Sequence, residues 1–308
     1  MSRQGFRRLI LAALLAVGGL TGVPLDRRIS NYAFENAADL FAVGFYWNDE
    51  ITRLLPTRFQ IVLLDKVTNA WVQRSFDKTS LPRTDETPAV EGVGSIMRLG
   101  HTRHHLLLDA HINPSAGTLL VLSRALEPKA LLYGFSLFAL PNDSIVYDRS
   151  QVHFAPTHWV EIYLYDPGSG VDRQIYPVKP YDQSRLAFMR EMKKAYDRAG
   201  EAFCRENNHH CNPELFDSSW GSSWVVDREA GTFAFLVRFG TGDIGRRPQW
   251  PDDKVAPRDV IVTCRNAESA ARVTCGEAWL QTLHAAHPNL QNTDLLKIAA
   301  RQAAAPKR

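Results

Sequence analysis

The N-terminus carries the feature that most restricts this chain, a basic segment followed by a long apolar run. The run, LILAALLAVGGLTGVPL, extends from Leu9 to Leu25 and is preceded by three arginines, Arg3, Arg7 and Arg8. Such a segment directs export, either as a cleaved signal peptide or as an uncleaved anchor. Because Pro24 lies where cleavage is expected, we interpret residues 1–25 as a signal anchor, with cleavage and secretion as the alternative. The remainder is then expected in the periplasm, anchored to the inner membrane by this N-terminal helix.

The composition is that of a globular protein with a substantial core. Of the 308 residues, 45% are hydrophobic and 22% are charged, and the net charge is only +3. A charge this small and this evenly mixed argues against nucleic acid as a partner. No second apolar run approaches the 18 residues of a membrane span. We therefore predict one exported domain over residues 26–290, followed by a C-terminal helix and basic tail over residues 291–308.

The four cysteines form two local pairs late in the chain. Cys204 and Cys211 are separated by six residues, and Cys264 and Cys275 by ten. An even number of cysteines at short spacing in an exported protein predicts disulfides within each pair. A metal site built from Cys204, His209, His210 and Cys211 is the alternative for the first pair.

Hydrophobic periodicity predicts helices alternating with strands. The predicted helices cover residues 30–47, 96–111, 118–126, 184–206, 267–286 and 294–305. The predicted strands cover residues 58–65, 130–141, 159–166, 171–178, 232–239 and 259–264. This alternation favours a layered α/β domain with a mixed or partly parallel sheet flanked by helices.

The order of several stretches resembles a CHASE-type extracellular sensory domain, in the second of its numbered variants. The stretches are the predicted helix over residues 30–47, the strand IVLLD ending at Asp65, the pair Pro82-Arg83, residues 122–143, DPGSGVDR (Asp166–Arg173), FLVRFG and DVIVTC. The resemblance implies an exported fold for ligand sensing or interaction, without catalysis. Leu81 and Ser136 replace a tryptophan and an aspartate of the family pattern, and residues 84–114 would be an insertion. The family's cytoplasmic output domain has no counterpart in this sequence.

Several polar and aromatic residues are candidates for ligand binding. Asp65, Asp143 and Asp172 close or follow predicted strands, whose carboxyl ends gather at one edge of an α/β sheet. Arg83 joins them through the resemblance. Trp220 and Trp224, in the stretch DSSWGSSW, could line a groove for a sugar or a peptide. The alternatives are that the acids cap turns and that the tryptophans pack within a loop.

The stretch HTRHHLLLDAH (residues 101–111) holds four of the ten histidines. On a helix, His101, His105 and Asp109 fall at positions i, i+4 and i+8 of one face, where they could bind zinc and leave an open position. No glutamate lies between the histidines to act as a base. The alternatives are an ordinary helix surface and a pH-sensitive histidine cluster.

These features favour a membrane-anchored periplasmic sensory or adaptor module that is not an enzyme and acts through a protein partner. No cofactor is expected beyond the possible zinc ion. One alternative is a metal-dependent exported hydrolase that uses the histidine stretch. Another is a structural component of an envelope or secretion assembly.

Overall fold

The computed structural model describes the chain in eleven stretches: residues 29–47, 58–77, 80–82, 96–113, 116–149, 157–158, 161–178, 215–218, 223–241, 259–267 and 269–304. They divide into two compact units. Unit 1 takes its residues from 1–114 and 118–132, and unit 2 from 115–117 and 133–308.

Unit 1 is built from two four-stranded sheets, each ordered as a meander. Sheet A contains β1 (Ile29–Asn36), β2 (Leu40–Trp47), β3 (Arg58–Asp65) and β4 (Ala70–Asp77), and its strands are antiparallel. Sheet B contains β5 (Ile96–His101), β6 (His105–Asn113), β7 (Ala116–Ser123) and β8 (Pro128–Tyr133). The connections within sheet B are too short for parallel pairing. Meanders of this kind are the units from which β-propellers are built.

The core of unit 1 lies between sheets A and B. Alternate residues of sheet A face this core, among them Leu40, Ile61 and Leu63, all fully buried. Leu99, Leu106 and Leu108 face it from sheet B. Between the two sheets, a Cβ atom added to Gly44 would lie 3.4–3.6 Å from Ile96, Leu99 and Leu108, so the sheets pack closely at this point.

Unit 2 also contains two sheets. Sheet C is an antiparallel meander of β9 (Phe135–Ala139), β10 (Ile145–Asp148), β12 (Ile162–Asp166) and β13 (Val171–Tyr176). Sheet D contains β11 (Thr157–His158), β14 (Leu215–Ser218), β15 (Trp224–Asp227), β16 (Thr232–Thr241), β17 (Asp259–Arg265) and β18 (Thr274–Trp279). Two helices follow, α1 (Leu280–Ala286) and α2 (Asn292–Ala304).

Both faces of sheet D are covered within unit 2. Phe233 and Phe235 of β16 point into a core shared with sheet C, which contributes Phe138 and Leu164. Ala234, which lies between them, points to the opposite face of the sheet and packs against helix α2. The buried side of α2 consists of Leu295, Leu296, Ala299 and Ala300.

The predicted α/β fold is wrong. Strands dominate the described residues, and their pairs are antiparallel except for the two-residue pair of β11 and β14. The two helices of the described residues follow the last strand instead of alternating with strands. No described helix is long and apolar enough to cross a membrane, and the predicted anchor at residues 1–25 lies outside the described residues.

The predicted helix over residues 30–47, which begins the resemblance to the sensory domain, is the hairpin of β1 and β2. Burial alternates along β1, where Tyr32 and Phe34 are exposed while Ala33 is buried. The turn is closed by a hydrogen bond from the backbone N–H of Ala37 to the carbonyl of Leu40. This turn contains neither glycine nor proline, so the sequence carried no obvious break.

The predicted helices over residues 96–111 and 118–126 are also strands, namely the β5–β6 hairpin and β7. Residues 106–110 are all buried, which means that both faces of β6 are covered. When both faces of a strand are buried, its apolar residues do not alternate with polar ones. The hydrophobic pattern of this run could therefore not be distinguished from that of a buried helix.

Other predicted elements agree with the structure in part or in full. The strands predicted over residues 58–65, 232–239 and 259–264 are β3, β16 and β17, and the last predicted helix is α2. The strands predicted over residues 159–166 and 171–178 are shortened to β12 and β13. The strand predicted over residues 130–141 is two strands, β8 and β9. The helix predicted over residues 267–286 contains β18 and α1, and the one over residues 184–206 lies outside the described residues.

Candidate functional site

Four hairpin turns meet at one end of unit 1, and ionisable side chains join them. We call Glu35, Asp39, Lys66, His101 and Arg124 the turn cluster. They come from both sheets of the unit, at or beside the turns over residues 37–39, 66–69, 102–104 and 124–127. We call these four turns the turn surface.

Lys66 joins the two turns of sheet A. Its ammonium group donates hydrogen bonds to the side-chain oxygen of Asn36, at 2.8 Å, and to the carbonyl of Ala37. Its backbone N–H also donates to the carbonyl of Asp39, at 2.8 Å. The β1–β2 turn is therefore held against the β3–β4 turn by both the backbone and the side chain of one residue.

Arg124 joins three turns. One terminal nitrogen of its guanidinium lies 2.8 Å from a carboxylate oxygen of Asp39 in sheet A. The same nitrogen lies 2.8 Å from the carbonyl of Thr102 and 2.9 Å from that of Arg103, both in the β5–β6 turn. Arg124 itself lies in the β7–β8 turn. Charge-assisted hydrogen bonds of this kind are stronger than neutral ones, so Arg124 fixes the three turns relative to one another.

His101 lies between two carboxylates of sheet A. Its Nδ1 atom is 3.0 Å from Glu35 Oε1, and its Nε2 atom is 3.9 Å from Asp39 Oδ1. The imidazole is 30% exposed. A carboxylate at Nδ1 fixes the orientation of the ring. The turn cluster therefore places one imidazole between two carboxylates, and these contacts also hold the turns together.

The predicted metal ligands do not come together. His101 pairs with Leu106 across the hairpin and faces sheet A, as its contact with Glu35 shows. His105 precedes Leu106 in the same strand and therefore points to the opposite face, together with Asp109. Within the described part of the chain, no group of three His, Cys, Asp or Glu side chains is arranged to hold a metal ion. The i, i+4, i+8 argument fails because the segment is a hairpin.

Asp109 belongs instead to an ion pair in which only the carboxylate is buried. Its side chain is 3% exposed, and Arg98, directly opposite on β5, donates from Nε at 2.8 Å and from a terminal nitrogen at 2.6 Å to Asp109 Oδ2. A carboxylate this well buried needs such a partner, because desolvation of an unpaired charge costs several kcal/mol. The pair therefore explains the aspartate within an otherwise apolar strand.

Two of the predicted ligand-binding acids serve turns. The Asp65 carboxylate accepts hydrogen bonds from the backbone N–H groups of Val67 and Thr68, both at 2.9 Å. The hydrogen bond from Thr68 is the main reason that the pKa of Asp65 lies below its ordinary value. Asp143 has a positive φ of 69° in the β9–β10 turn, and its backbone N–H donates to the carbonyl of Leu140. The Asp65 carboxylate thus caps its turn, as in the alternative interpretation, and Asp143 is a residue of a turn.

Asp172 lies in a tyrosine-rich part of sheet C. The hydroxyl of the buried Tyr147 donates a hydrogen bond of 2.8 Å to Asp172 Oδ2. Burial, and then the charge of Asp172, raise the pKa of Tyr147 above its ordinary range. Tyr163 lies beside Tyr147, with ring centroids 5.7 Å apart, and the Arg149 guanidinium lies 4.8 Å above the Tyr163 ring. These contacts hold β10, β12 and β13 together.

Trp224 is 47% exposed and packs with one ring face on Phe138, with centroids 4.7 Å apart and the rings nearly parallel. It is the only one of the predicted aromatic ligand contacts within the described residues. Arg83, Trp220, Cys204 and Cys211 lie outside them.

The predicted disulfide Cys264–Cys275 is present. The two residues lie directly opposite each other on β17 and β18. Disulfides form and persist in oxidising compartments, so this bond indicates a location outside the cytoplasm.

Large exposed hydrophobic side chains are concentrated on sheet A. Among the described residues, four of the six are found there: Tyr32, Phe34, Val67 and Trp71. Tyr32 and Phe34 project from β1 on the face of sheet A that is turned away from sheet B. These residues lie on the two edge strands of the sheet and in the β3–β4 turn.

Sequence reasoning missed every member of the turn cluster except His101. Glu35 is 66 residues from His101, and Asp39 is 85 residues from Arg124. No local spacing relates such residues, and the turns over residues 37–39 and 102–104 were themselves predicted as helix.

No family model and no curated protein matches the chain. Solved structures that match include the GH43_1 enzyme from Xanthomonas citri, with 8% identity, a TM-score of 0.30, and coverage of 87% of this chain and 93% of the enzyme. An engineered GH43 glycoside hydrolase with endo-xylanase and exo-arabinofuranosidase activity matches with 10% identity, a TM-score of 0.26, and coverage of 82% of this chain and 41% of that one. The β-propeller domain of the Trilobed protease from Pyrococcus furiosus matches with 9% identity, a TM-score of 0.25, and coverage of 81% and 72%. Likeness at this level assigns neither an activity nor a substrate to the chain.

Proposed function

We propose that this chain is an exported binding module without catalytic activity, tethered to the inner membrane by residues 1–25 and facing the periplasm, where it acts through a protein partner. The turn surface is the proposed contact with that partner. This proposal keeps the sensory or adaptor role favoured by the sequence and gives it a location on the molecule.

The observation that carries the proposal is the bracing of four exposed turns by the turn cluster. Lys66 and Arg124 use their charges to fix turns of both sheets in one arrangement. Binding residues are commonly found on loops that a rigid scaffold positions, and a surface ordered in advance loses less entropy when it binds. Val67, Arg103 and His104 are exposed on this surface.

Site-specific photocrosslinking tests the proposal. The full-length chain carries a photoreactive phenylalanine analogue at Val67, which is 79% exposed, and is irradiated in native membranes. The matched control carries the analogue at Glu229, an exposed residue in the β15–β16 turn of unit 2. We expect one defined protein adduct at position 67 and none at position 229.

The variant Arg124→Met addresses the bracing itself. Methionine has a similar length but cannot bind Asp39 or the carbonyls of Thr102 and Arg103, so the adduct of a further variant, with the analogue at Arg103 in the β5–β6 turn, should decrease. Equal adducts at positions 67 and 229, or no protein adduct at either position 67 or position 103, would refute the assignment of the turn surface.

A further inference from the structure

We infer that the open edge of β4 binds an extended segment of a partner protein as an additional strand of sheet A, and that this segment carries an acidic residue opposite Arg74. We call the backbone of residues 70–76, on the side turned away from β3, the β4 edge. The inference goes beyond the proposed function, because it does not require that the turn surface binds a partner.

The β4 edge has unused backbone groups. Within the described part of the chain, β4 pairs with β3 alone, and the backbone from Ala70 to Phe76 makes no hydrogen bond to any other element. In an antiparallel pair, alternate residues direct their N–H and C=O groups away from the partner strand. An exposed row of such groups is a template for an added strand.

The side chains beside the β4 edge are exposed as well. On the outer face of sheet A, Gln60 and Val62 of β3 are buried, whereas Ser75 and Gln73, which lie opposite them on β4, are exposed. Trp71 lies on the same face and is 39% exposed. The burial of this face therefore ends at β4, and an added strand would meet side chains that are in contact with solvent.

The other edge strands of the described sheets have features that discourage pairing with a second chain. The pairing of β1, β5, β9 and β13 with their neighbours contains a register shift, and β8 begins with Pro128 and Lys129. β11 and β15 have only two and four residues, and β18 lies beside β13. Bulges, proline, lysine and short length are means by which sheets protect their edges. Among the edge strands that the structure describes, β4 alone combines eight residues with an unbroken register and the absence of proline and lysine.

Arg74 makes the β4 edge selective. Its side chain lies on the inner face of sheet A, with the guanidinium 5.4 Å from the centroid of the Phe76 ring. One terminal nitrogen lies 3.4 Å from the carbonyl oxygen of Leu126. The side chain is partly buried, and no carboxylate of the described residues forms an ion pair with it. A neutral or basic strand beside this charge would remove it from water without a partner, whereas an acidic residue directly opposite would form an ion pair with it.

The spacing of residues in β4 defines the bound segment further. Residues directly opposite each other on paired strands share a face of the sheet and contact each other. Trp71 and Arg74 are three residues apart and lie on opposite faces. The bound segment should therefore contain an apolar residue and an acidic residue three positions apart, which contact Trp71 and Arg74 respectively, and no proline between them.

Peptide selection tests the inference with a defined probe. A phage-displayed library of random peptides of about ten residues, enough to cover a strand of ordinary length, is selected on the purified full-length chain in detergent. Hydrogen exchange followed by mass spectrometry then locates the synthesised peptides on the chain, with the edge strand β8 as the matched control. We expect the enriched peptides to show the predicted spacing, to protect the amides of β4 and to leave those of β8 unchanged.

The acidic residue is tested on both sides of the contact by fluorescence anisotropy. Replacing it in the peptide by its neutral amide should weaken binding to the unmodified chain about fivefold, as for a partly exposed ion pair. This comparison requires no change in the chain, so it holds even if a variant does not fold. Arg74→Gln should bind both peptides equally, whereas Arg74→Lys should keep part of the preference. A peptide methylated at alternate backbone nitrogens should not bind, because it cannot complete the row of hydrogen bonds.

Three results would each overturn the inference: no enriched peptide, protection outside β4 only, or equal binding of the acidic and amide peptides to the unmodified chain. Protection of the turns over residues 66–69 and 102–104 alone would overturn it while supporting the turn surface. A chain that dimerises with its β4 amides already protected would show that a second copy occupies the β4 edge, and would overturn the assignment to a partner segment. The photocrosslinking at position 67 is independent of all these outcomes, so the two proposals can fail separately.

Discussion

Among the described glycines, Gly134 is the one where the structure predicts the largest effect of an added methyl group. It separates β8 from β9, and its φ is +131°, a value that residues with a side chain rarely adopt. A Cβ atom at this position would lie 2.0 Å from the carbonyl oxygen of Asp148 and 3.1 Å from the Cα atom of Arg149. Both obstacles are backbone atoms of the neighbouring strand and cannot rotate away.

The magnitude follows from two separate costs. A non-glycine residue held in this region of φ costs about 1–3 kcal/mol, and shifting the backbone of β10 to remove the contact costs about the same again. We therefore expect Gly134→Ala to lower the free energy of unfolding by about 4 kcal/mol, a large part of the 5–15 kcal/mol typical of a folded protein. Urea denaturation followed by circular dichroism under oxidising conditions measures this loss.

Gly276→Ala is the matched control in the same unit. Its added Cβ atom would have no contact closer than 4.0 Å, to the hydroxyl of Thr263, and its backbone has no positive φ. Alanine there should raise the free energy of unfolding by about 0.4–1 kcal/mol, because it restricts the unfolded chain. If the free energy of unfolding of Gly134→Ala lies within about 0.5 kcal/mol of that of the unmodified protein, the reasoning from the β8–β9 junction is wrong.

Three further predictions concern single interactions. Arg98→Met should lower the free energy of unfolding by about 2 kcal/mol, less than the full cost of a broken buried pair because the arginine is half exposed, and adding Asp109→Leu should recover part of this loss in the same urea assay. Replacing Cys264 and Cys275 together by alanine should cost about 3 kcal/mol, the chain entropy released by opening a loop of this length, while unchanged stability in a thermal melt would contradict that estimate. The raised pKa of Tyr147 means that its contribution to stability is present below pH 10 and is lost as the pH rises further, since the unfolded chain ionises first. Tyr147→Phe should accordingly lose less stability than the unmodified protein between about pH 9 and pH 11, and equal losses would show that another group dominates.

Parts of the fold could be predicted from the sequence because their signals are local. RFQIVLLD is a short continuous apolar run that ends in a turn-forming acid, and it is strand β3 with Asp65 closing the turn. Helix α2 shows apolar residues on one side only and packs with that side against sheet D. Cys264 and Cys275 lie close enough in sequence for a hairpin to join them.

The rest of the fold, and the turn cluster, depend on long-range contacts that a single sequence does not show. In residues 106–110 both faces of the strand are buried, so the hydrophobic pattern could not distinguish strand from helix. The β1–β2 turn at residues 37–39 lacks glycine and proline, and the chain on either side of it therefore resembled one amphipathic helix. The turn cluster combines residues of both sheets, and its members could be identified only after every hairpin of unit 1 had been placed.

The turn cluster also has a consequence for the order in which unit 1 folds. Each hairpin pairs neighbouring stretches of chain, and such short-range contacts form early and quickly. The bonds of the turn cluster instead join residues 21 to 85 positions apart, and those of Arg124 require the β1–β2, β5–β6 and β7–β8 hairpins to be in place. Interactions absent from the transition state change the unfolding rate more than the folding rate. The contacts of Arg124 are then expected to slow the unfolding of unit 1 and to leave its folding rate nearly unchanged.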